Sequence, residues 1–244
     1  MQIRFSWLIL LLFMVSCREP ELPDLSPDEL VQRSATRMNE LRGFHFIIER
    51  DGAAAYVDPD NILSFRRAEG EYVSPDRSQA VVRIIAPGLI TDVAVISVAE
   101  VQWQTNVLTG EWEELPPNWG FNPAVLFDET VGLPAILQSD LLGTSLVGVE
   151  ELEDGPNSLS PRRSGGRFYH ISSQASGERL FEMSGGLIGP ETVDIQLWIA
   201  PDSFELIRTT VTESASGDEE PSVWQVDFSE FDTAVTIEPP TNNQ

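Results

Sequence analysis

From Phe44 to Phe231 the chain is cut at short intervals by Gly, Pro, Asp and Asn, and most of the stretches between the cuts alternate apolar with polar side chains. Asp194-Ile195-Gln196-Leu197-Trp198-Ile199 shows the pattern most clearly. A period of two puts the apolar groups on one side of an extended strand, which suits a sheet with one buried face. The spacing predicts strands at 44–49, 62–66, 69–73, 79–85, 92–98, 100–106, 111–113, 147–152, 166–173, 192–199, 206–212 and 223–231. Thr109-Gly110 and Pro201-Asp202-Ser203 carry the turn chemistry of hairpins, so neighbouring strands are expected to run antiparallel.

Two stretches break the alternation. Ser26-Pro27-Asp28-Glu29 offers an N-cap serine, a proline at the first helical position and acids in the first turn. Leu30, Val31, Ala35, Met38 and Leu41 then recur at helical spacing, with Gly43 as a stop. Between 122 and 142, Asn122-Pro123-Ala124-Val125-Leu126-Phe127 and Gly132-Leu133-Pro134-Ala135-Ile136-Leu137 are apolar without alternating. They read as two short helices, each with a proline in its first turn, covering one face of the sheet. Residues 155–165 and 214–221, rich in Ser, Gly, Pro and charge, read as loops. No repeat of solenoid period occurs.

The N-terminus is of another kind. Arg4 precedes an apolar run from Phe5 to Val15, broken only by Ser6. About 20 apolar residues are needed to span a bilayer, whereas roughly 7–15 make the apolar region of a cleavable signal peptide. Met14-Val15-Ser16-Cys17 resembles the lipobox of bacterial lipoproteins, with Met14 where leucine is usual. The expected organisation is a signal peptide over 1–16, a lipid anchor on Cys17, a Pro-rich acidic tether over 17–25, one domain over 26–240 and a tail over 241–244. The protein is then held on the extracytoplasmic side of the cell membrane.

Cys17 is the only cysteine. Once acylated, it leaves the domain without a disulfide, a Cys-based zinc site or a thiol nucleophile, so the fold must rest on its core. The formal charge is −24, and every basic residue except the histidines is an arginine. Such a chain lacks the basic patches that phosphate backbones require, so nucleic acid is not an expected partner. It also lacks a Schiff-base lysine and the lysine of a P-loop. No Asp-rich loop has EF-hand spacing, and the acidity reads as a solvated, self-repelling surface.

The order of the pieces resembles a known family. A helix, a glycine and a strand are followed by Ala68-Glu69-Gly70-Glu71-Tyr72 with Pro75, then Thr109-Gly110-Glu111-Trp112, then Asn122-Pro123 leading to Leu126-Phe127-Asp128 and Gly132-Leu133. Leu197-Trp198-Ile199, Asp227-Phe228-Ser229-Glu230-Phe231-Asp232 and Ile237-Glu238-Pro239-Pro240 close the chain. This resembles the LppX/LprA/LprF/LprG lipoproteins of mycobacteria and, more distantly, the LolA/LolB carriers. The resemblance implies an α+β fold: a strongly curved antiparallel sheet, a half-barrel, with helices across its concave face and an apolar cavity between. It implies a carrier of acylated lipids or glycolipids and no enzyme. The implied cavity positions are Phe46, Ile48, Val93, Val95, Leu126, Leu133, Ile136, Ile195 and Leu197. No cofactor or metal is expected, and an envelope transporter or acceptor protein is a possible but unidentified partner.

The residues themselves offer little for catalysis. The only histidines, His45 and His170, sit in strand-like segments beside aromatics, where a packed or edge role is commoner than a general base. Ser145 and Ser164 lie near glycines without a Gly-x-Ser-x-Gly elbow. Glu150/Glu151 and Glu219/Glu220 are sequence neighbours, which on a strand point to opposite faces and make no glycosidase pair. Trp103, Trp112, Trp119, Trp198 and Trp224 can fill a core or line a cavity. Lipid binding is the leading expectation, and a sensor or scaffold acting through protein contacts is the alternative.

Overall fold

The computed structural model describes residues 24–116, 122–152, 166–214 and 220–241. The signal peptide, Cys17, most of the tether, Trp119, Ser164, Glu219, most of both loops and most of the tail lie outside the described residues. Among the described residues, eleven strands and four helices make up the fold. Helix α1 (Pro27–Glu40) leads into β1 (Gly43–Asp51), β2 (Ser64–Val73), β3 (Arg77–Ala86), β4 (Leu89–Val98), β5 (Val101–Thr105) and β6 (Trp112–Glu114). Two short helices, α2 (Pro123–Leu126) and α3 (Leu133–Ser139), come next. The chain then forms β7 (Leu141–Glu151), β8 (Arg167–Ala175), helix α4 (Gly177–Met183), β9 (Val193–Ile199), β10 (Leu206–Glu213) and β11 (Val223–Ser229).

All eleven strands join one antiparallel sheet in the order β6-β5-β4-β3-β2-β1-β11-β10-β9-β8-β7. The chain starts at the centre of this sheet, meanders to one edge, crosses to the far edge through α2 and α3, and meanders back until β11 pairs with β1. The crossing is therefore the one connection that must travel over a face of the sheet. It does so on the concave side, with α1 and α4 beside it, and the sheet stays an open, curved half-barrel.

Cross-strand register shows what fills that side. Val93, Val82, Ala68, Ile48, Val226, Thr209, Leu197 and Ile171 lie opposite one another in sequence across eight neighbouring strands. Directly opposed residues share a face; seven of the eight are buried and Val226 is partly buried against them. A parallel row runs through Val95, Ala80, Gly70, Phe46 and Phe228. Gly70 has a steric reason to be glycine: a Cβ there would sit 2.0 Å from the Gln79 carbonyl oxygen and 2.7 Å from Ala80 Cα. Strands β2 and β3 thus close on each other there in a way that a side chain would prevent. The opposite, convex face carries charge, with Arg67 paired to Glu49 and Glu69, and Arg208 to Asp227.

Helix α1 forms as its sequence dictates. Ser26 Oγ accepts from the Glu29 amide at 3.3 Å while Glu29 Oε2 accepts from the Ser26 amide at 3.1 Å, a complete capping box with Pro27 at the first helical position. Leu30, Val31, Ala35 and Met38 form its buried stripe. Arg37 fixes the far end, donating to Glu205 Oε1 at 3.0 Å and to Asp232 Oδ2 at 2.9 Å. The other oxygen of Asp232 accepts from the Arg42 amide at 2.9 Å.

Several boundaries differ from the expected ones for local reasons. The helix ends at Glu40, and Gly43 opens β1 instead of stopping a helix. The expected strands 62–66 and 69–73 are a single strand, β2. A bulge at Arg66 gives β2 one residue more than β3, so that Phe65 and Ala68, three apart, both face inward, and the alternation looks broken. Strand β7 begins at Leu141, well before the expected residue 147; two register irregularities and Gly143 at φ +65° erase its period. The sequence pattern gives no sign of helix α4.

Candidate functional site

Between the middle of the concave face and the helical layer lies an apolar cavity of about 60 Å³. The sheet supplies Ile48, Thr209, Val211, Trp224 and Val226. The crossing supplies Leu126, Phe127 and Leu133, and α4 with the turn after it supplies Leu180, Met183, Ser184, Leu187 and Ile188. Among the described residues, no charged side chain lines it.

The wall opposite the sheet is built from short pieces held by a few polar ties. Asn122 caps α2, its Oδ1 accepting from the Ala124 amide at 3.0 Å and from Ser97 Oγ of β4 at 2.8 Å. Asp128 closes the α2–α3 turn by accepting from the Thr130 and Val131 amides at 2.8 and 3.0 Å. Gly132 comes next, where a Cβ would fall 2.6 Å from the Leu126 carbonyl oxygen. Gln32 of α1 donates to the Gln138 carbonyl at 3.0 Å. Arg179 of α4 pairs with Asp140 and donates to the Thr130 carbonyl at 3.1 Å, tying α4 to both ends of α3.

One side of the cavity is plugged by rings. Phe127 lies 5.0 Å from Phe44, 4.9 Å from Phe46, 5.5 Å from Tyr72 and 5.9 Å from Phe228 between centroids. Three of these contacts are edge-to-face, the arrangement that ring quadrupoles favour. Tyr72 donates to the Pro75 carbonyl at 2.6 Å, and burial, seconded by Asp128, pushes its phenol up to about 12, so it stays a neutral donor. Trp224 bounds the cavity from the sheet, its indole N–H held by Glu213 Oε2 at 3.0 Å.

All nine cavity positions expected from the sequence are buried residues of the core. Ile48, Leu126 and Leu133 meet at the cavity. Phe46, Val93, Val95, Ile136, Ile195 and Leu197 pack around it without lining it. Register puts Val95 on the concave face opposite Ala80, and Ala94 on the convex one. Thr209, Val211 and Val226 lie in expected strands but were not singled out; an irregularity between Leu206 and Arg208 puts Leu206 and Thr209, three apart, both on the inner face, which obscures the parity of that strand. The contribution of α4 was not, because two turns of helix opened by Ser176-Gly177 give too little period to read.

The histidines sit elsewhere. On the convex face His170 stacks on Trp198 at 4.5 Å, with Nδ1 2.8 Å from Glu150 Oε1 and Nε2 2.8 Å from Gln196 Oε1. Gln196 in turn donates to Ser172 Oγ at 3.0 Å, so an amide stands between ring and hydroxyl where a hydrolase would need direct contact. The hydrogen bond from His170 lowers the Glu150 carboxyl below its usual range, with Trp198 second. His45 lies 3.6 and 3.7 Å from Glu69 and Glu71, ion-pair range without a hydrogen bond. Of the tryptophans, Trp224 lines the cavity, whereas Trp103, Trp112 and Trp198 lie on the convex face. Among the described residues, no cluster of three or more His, Cys, Asp or Glu could hold a metal ion, and no helix is long and apolar enough to cross a membrane.

The model of the LppX_LprAFG lipoprotein family matches residues 26–237. The chain belongs to this family. Among solved structures, LprF from Mycobacterium bovis superposes with a TM-score of 0.66 at 14% identity, covering 90% of this chain and 99% of that one. The Mycobacterium tuberculosis lipoprotein LppX superposes with a TM-score of 0.58 at 13% identity, over 87% and 98%. At such identities these likenesses establish the LppX_LprAFG fold and nothing finer. A LolA superfamily protein from Nitrosomonas europaea aligns at 12% identity over 87% of this chain and 95% of that one, with a TM-score of 0.29 that carries no argument. No curated protein matches the chain.

Proposed function

We propose that the protein is an exported, lipid-anchored lipoprotein of the cell envelope that binds a hydrophobic acylated ligand, a lipid or glycolipid, in the concave cavity and carries it on the extracytoplasmic side of the membrane, without enzymatic chemistry. The observation that carries this reading is a carbon-walled, charge-free cavity roofed by three short helices. Pockets that hold a drug-sized ligand measure roughly 300–1,000 Å³, so a cavity of about 60 Å³ is a closed state that must open. The sheet is laddered throughout, whereas α2, α3 and α4 hang on the few ties of Asn122, Gln32 and Arg179. Opening therefore falls to the roof. Membership of a lipoprotein family supports Cys17 as the anchor. Residues 17–25 span at most about 3.5 Å each, which keeps the domain within roughly 30 Å of the bilayer.

The test is to purify the mature chain, residues 17–244, and its Leu133→Trp variant and to analyse organic-solvent extracts by mass spectrometry. Acylated lipid should co-purify with the parent and be reduced severalfold in the variant, whose bulk replaces ligand volume at the roof. The strain should cost about 1–3 kcal/mol and leave the far-UV spectrum unchanged. Parent and variant extracts with equal lipid, or none in either, would remove the reading. In cells, Cys17→Ala should abolish incorporation of radiolabelled fatty acid; unchanged incorporation would remove the anchor.

A further inference from the structure

The long inner row of the sheet has one polar member. Thr209 lies between Val226 and Leu197, both carbon-only, and only 2% of it is exposed. Its Oγ1 is buried with no hydrogen-bond partner. A buried hydroxyl left unsatisfied is destabilising, and valine would fill the same volume without that cost. Other buried side-chain atoms also lack partners, namely those of Ser34, Asn39, Ser78 and Ser222, but Thr209 alone among these residues belongs to the cavity wall; in the closed cavity the wall's surface is carbon, so the hydroxyl meets a ligand only by turning inward as the cavity opens. The other hydroxyl of the lining, Ser184, is occupied: it accepts from the Ile188 amide at 3.0 Å and reaches the Phe181 carbonyl at 3.4 Å.

We infer that Thr209 is a specificity-determining residue of the cavity, whose hydroxyl donates to the ester carbonyl of a bound acyl ester. The inference rests on the acyl-binding reading above and adds to it the kind of ligand. Hydrogen counting selects the carbonyl. In an otherwise carbon-lined space, a hydroxyl on the ligand would bring a second donor, and one bond between two hydroxyls leaves one hydrogen orphaned. An ester carbonyl brings an acceptor only, so a single bond from Thr209 leaves no donor unsatisfied. A plain hydrocarbon or an ether chain offers no comparable acceptor, and Thr209 would remain as costly as in the closed state. The hydroxyl therefore discriminates by what it rejects as well as by what it holds.

The probes are 1,2-dipalmitoylglycerol and its diether analogue 1,2-di-O-hexadecylglycerol, which differ only in the two carbonyls. Each is titrated against the fluorescent fatty acid cis-parinarate bound to the mature chain, residues 17–244. The parent should prefer the diester by about tenfold, the equivalent of one well-made buried hydrogen bond. Thr209→Val should bring that ratio close to one while melting no lower than the parent, and Thr209→Ser should keep it. A parent that binds both probes equally, or a Thr209→Val variant that keeps the preference, would overturn the inference and leave acyl binding standing. Binding of neither the probes nor cis-parinarate by the parent would overturn both.

Discussion

Single residues set the limits of what this sheet can do, and Gly70 is the clearest case. Phe46 and Ala80 are its cross-strand partners, and the missing side chain lets β3 lie against β2 where a Cβ would overlap the Gln79 carbonyl. Gly70→Ala should therefore cost about 3 kcal/mol or more, since the contact to be relieved is backbone and not the end of a flexible side chain. Chemical denaturation of the purified variant checks this, and a loss under about 1 kcal/mol would mean that the close approach of β2 and β3 does not depend on this residue. Gly70 was visible in the sequence as part of a family-like segment, but its steric role was not. A glycine in a strand marks a close approach without saying what approaches. Thr209 was not visible at all: an irregularity between Leu206 and Arg208 hides the parity of its strand, and the absence of a partner for its hydroxyl depends on the side chains around it in three dimensions.

At the scale of elements, sequence reading succeeded where one element carries its own signal. Helix α1 has a capping box, a proline at its start and more than three turns of periodic burial, and it was placed within a few residues. Strands β3 and β9 alternate without interruption and were found nearly whole, and β10 was found too, although an irregularity between Leu206 and Arg208 breaks its period. The failures share one cause, a local break in the period: the bulge in β2, the irregular edge strand β7 and the brevity of α4. The docking of α1 depends on charge as well as on its apolar stripe. The Arg42 amide and the Arg37 guanidinium hold the Asp232 carboxyl below its ordinary 3.8. A carboxyl depressed in the folded state stabilises fully above its unfolded pKa and loses that contribution as pH falls through the folded value. The melting temperature should accordingly fall on acidification below about pH 4, and Asp232→Asn should be less stable at neutral pH with a shallower acid decline. Thermal melts between about pH 3 and 7 test this. Equal acid slopes in parent and variant would show that the latch adds nothing, and that other depressed carboxyls, such as Asp92 beside Arg83, carry the acid response.

For the molecule as a whole, strand content and the two helices of the crossing could be read from the sequence, but strand order could not, because alternation says which face a residue takes and not which strand lies beside it. The observed order has a mechanical consequence. The two meanders, β1–β6 and β7–β11, share one laddered pair of strands, β1–β11, and one connection, the α2–α3 crossing, and the inner row from Val93 to Ile171 runs unbroken through that junction. Neither arm has a closed core of its own. The first arm buries Phe46 and Ile48 against Phe228 and Val226 of β11, and its roof is the segment that continues into the second arm. Ending the chain at residue 214 removes only β11 and its flanking segments, but it strips both β1 and β10 of a partner and opens the core at its middle. The expected outcome is loss of the whole fold: no cooperative melt, a far-UV spectrum without the parent's strand signal and rapid proteolysis of both arms. Survival of a protease-resistant fragment spanning β1 to β6, with its own cooperative transition, would show that the first arm folds independently. The cavity would then sit at a joint between two units, and lipid could enter by parting the arms instead of lifting the roof.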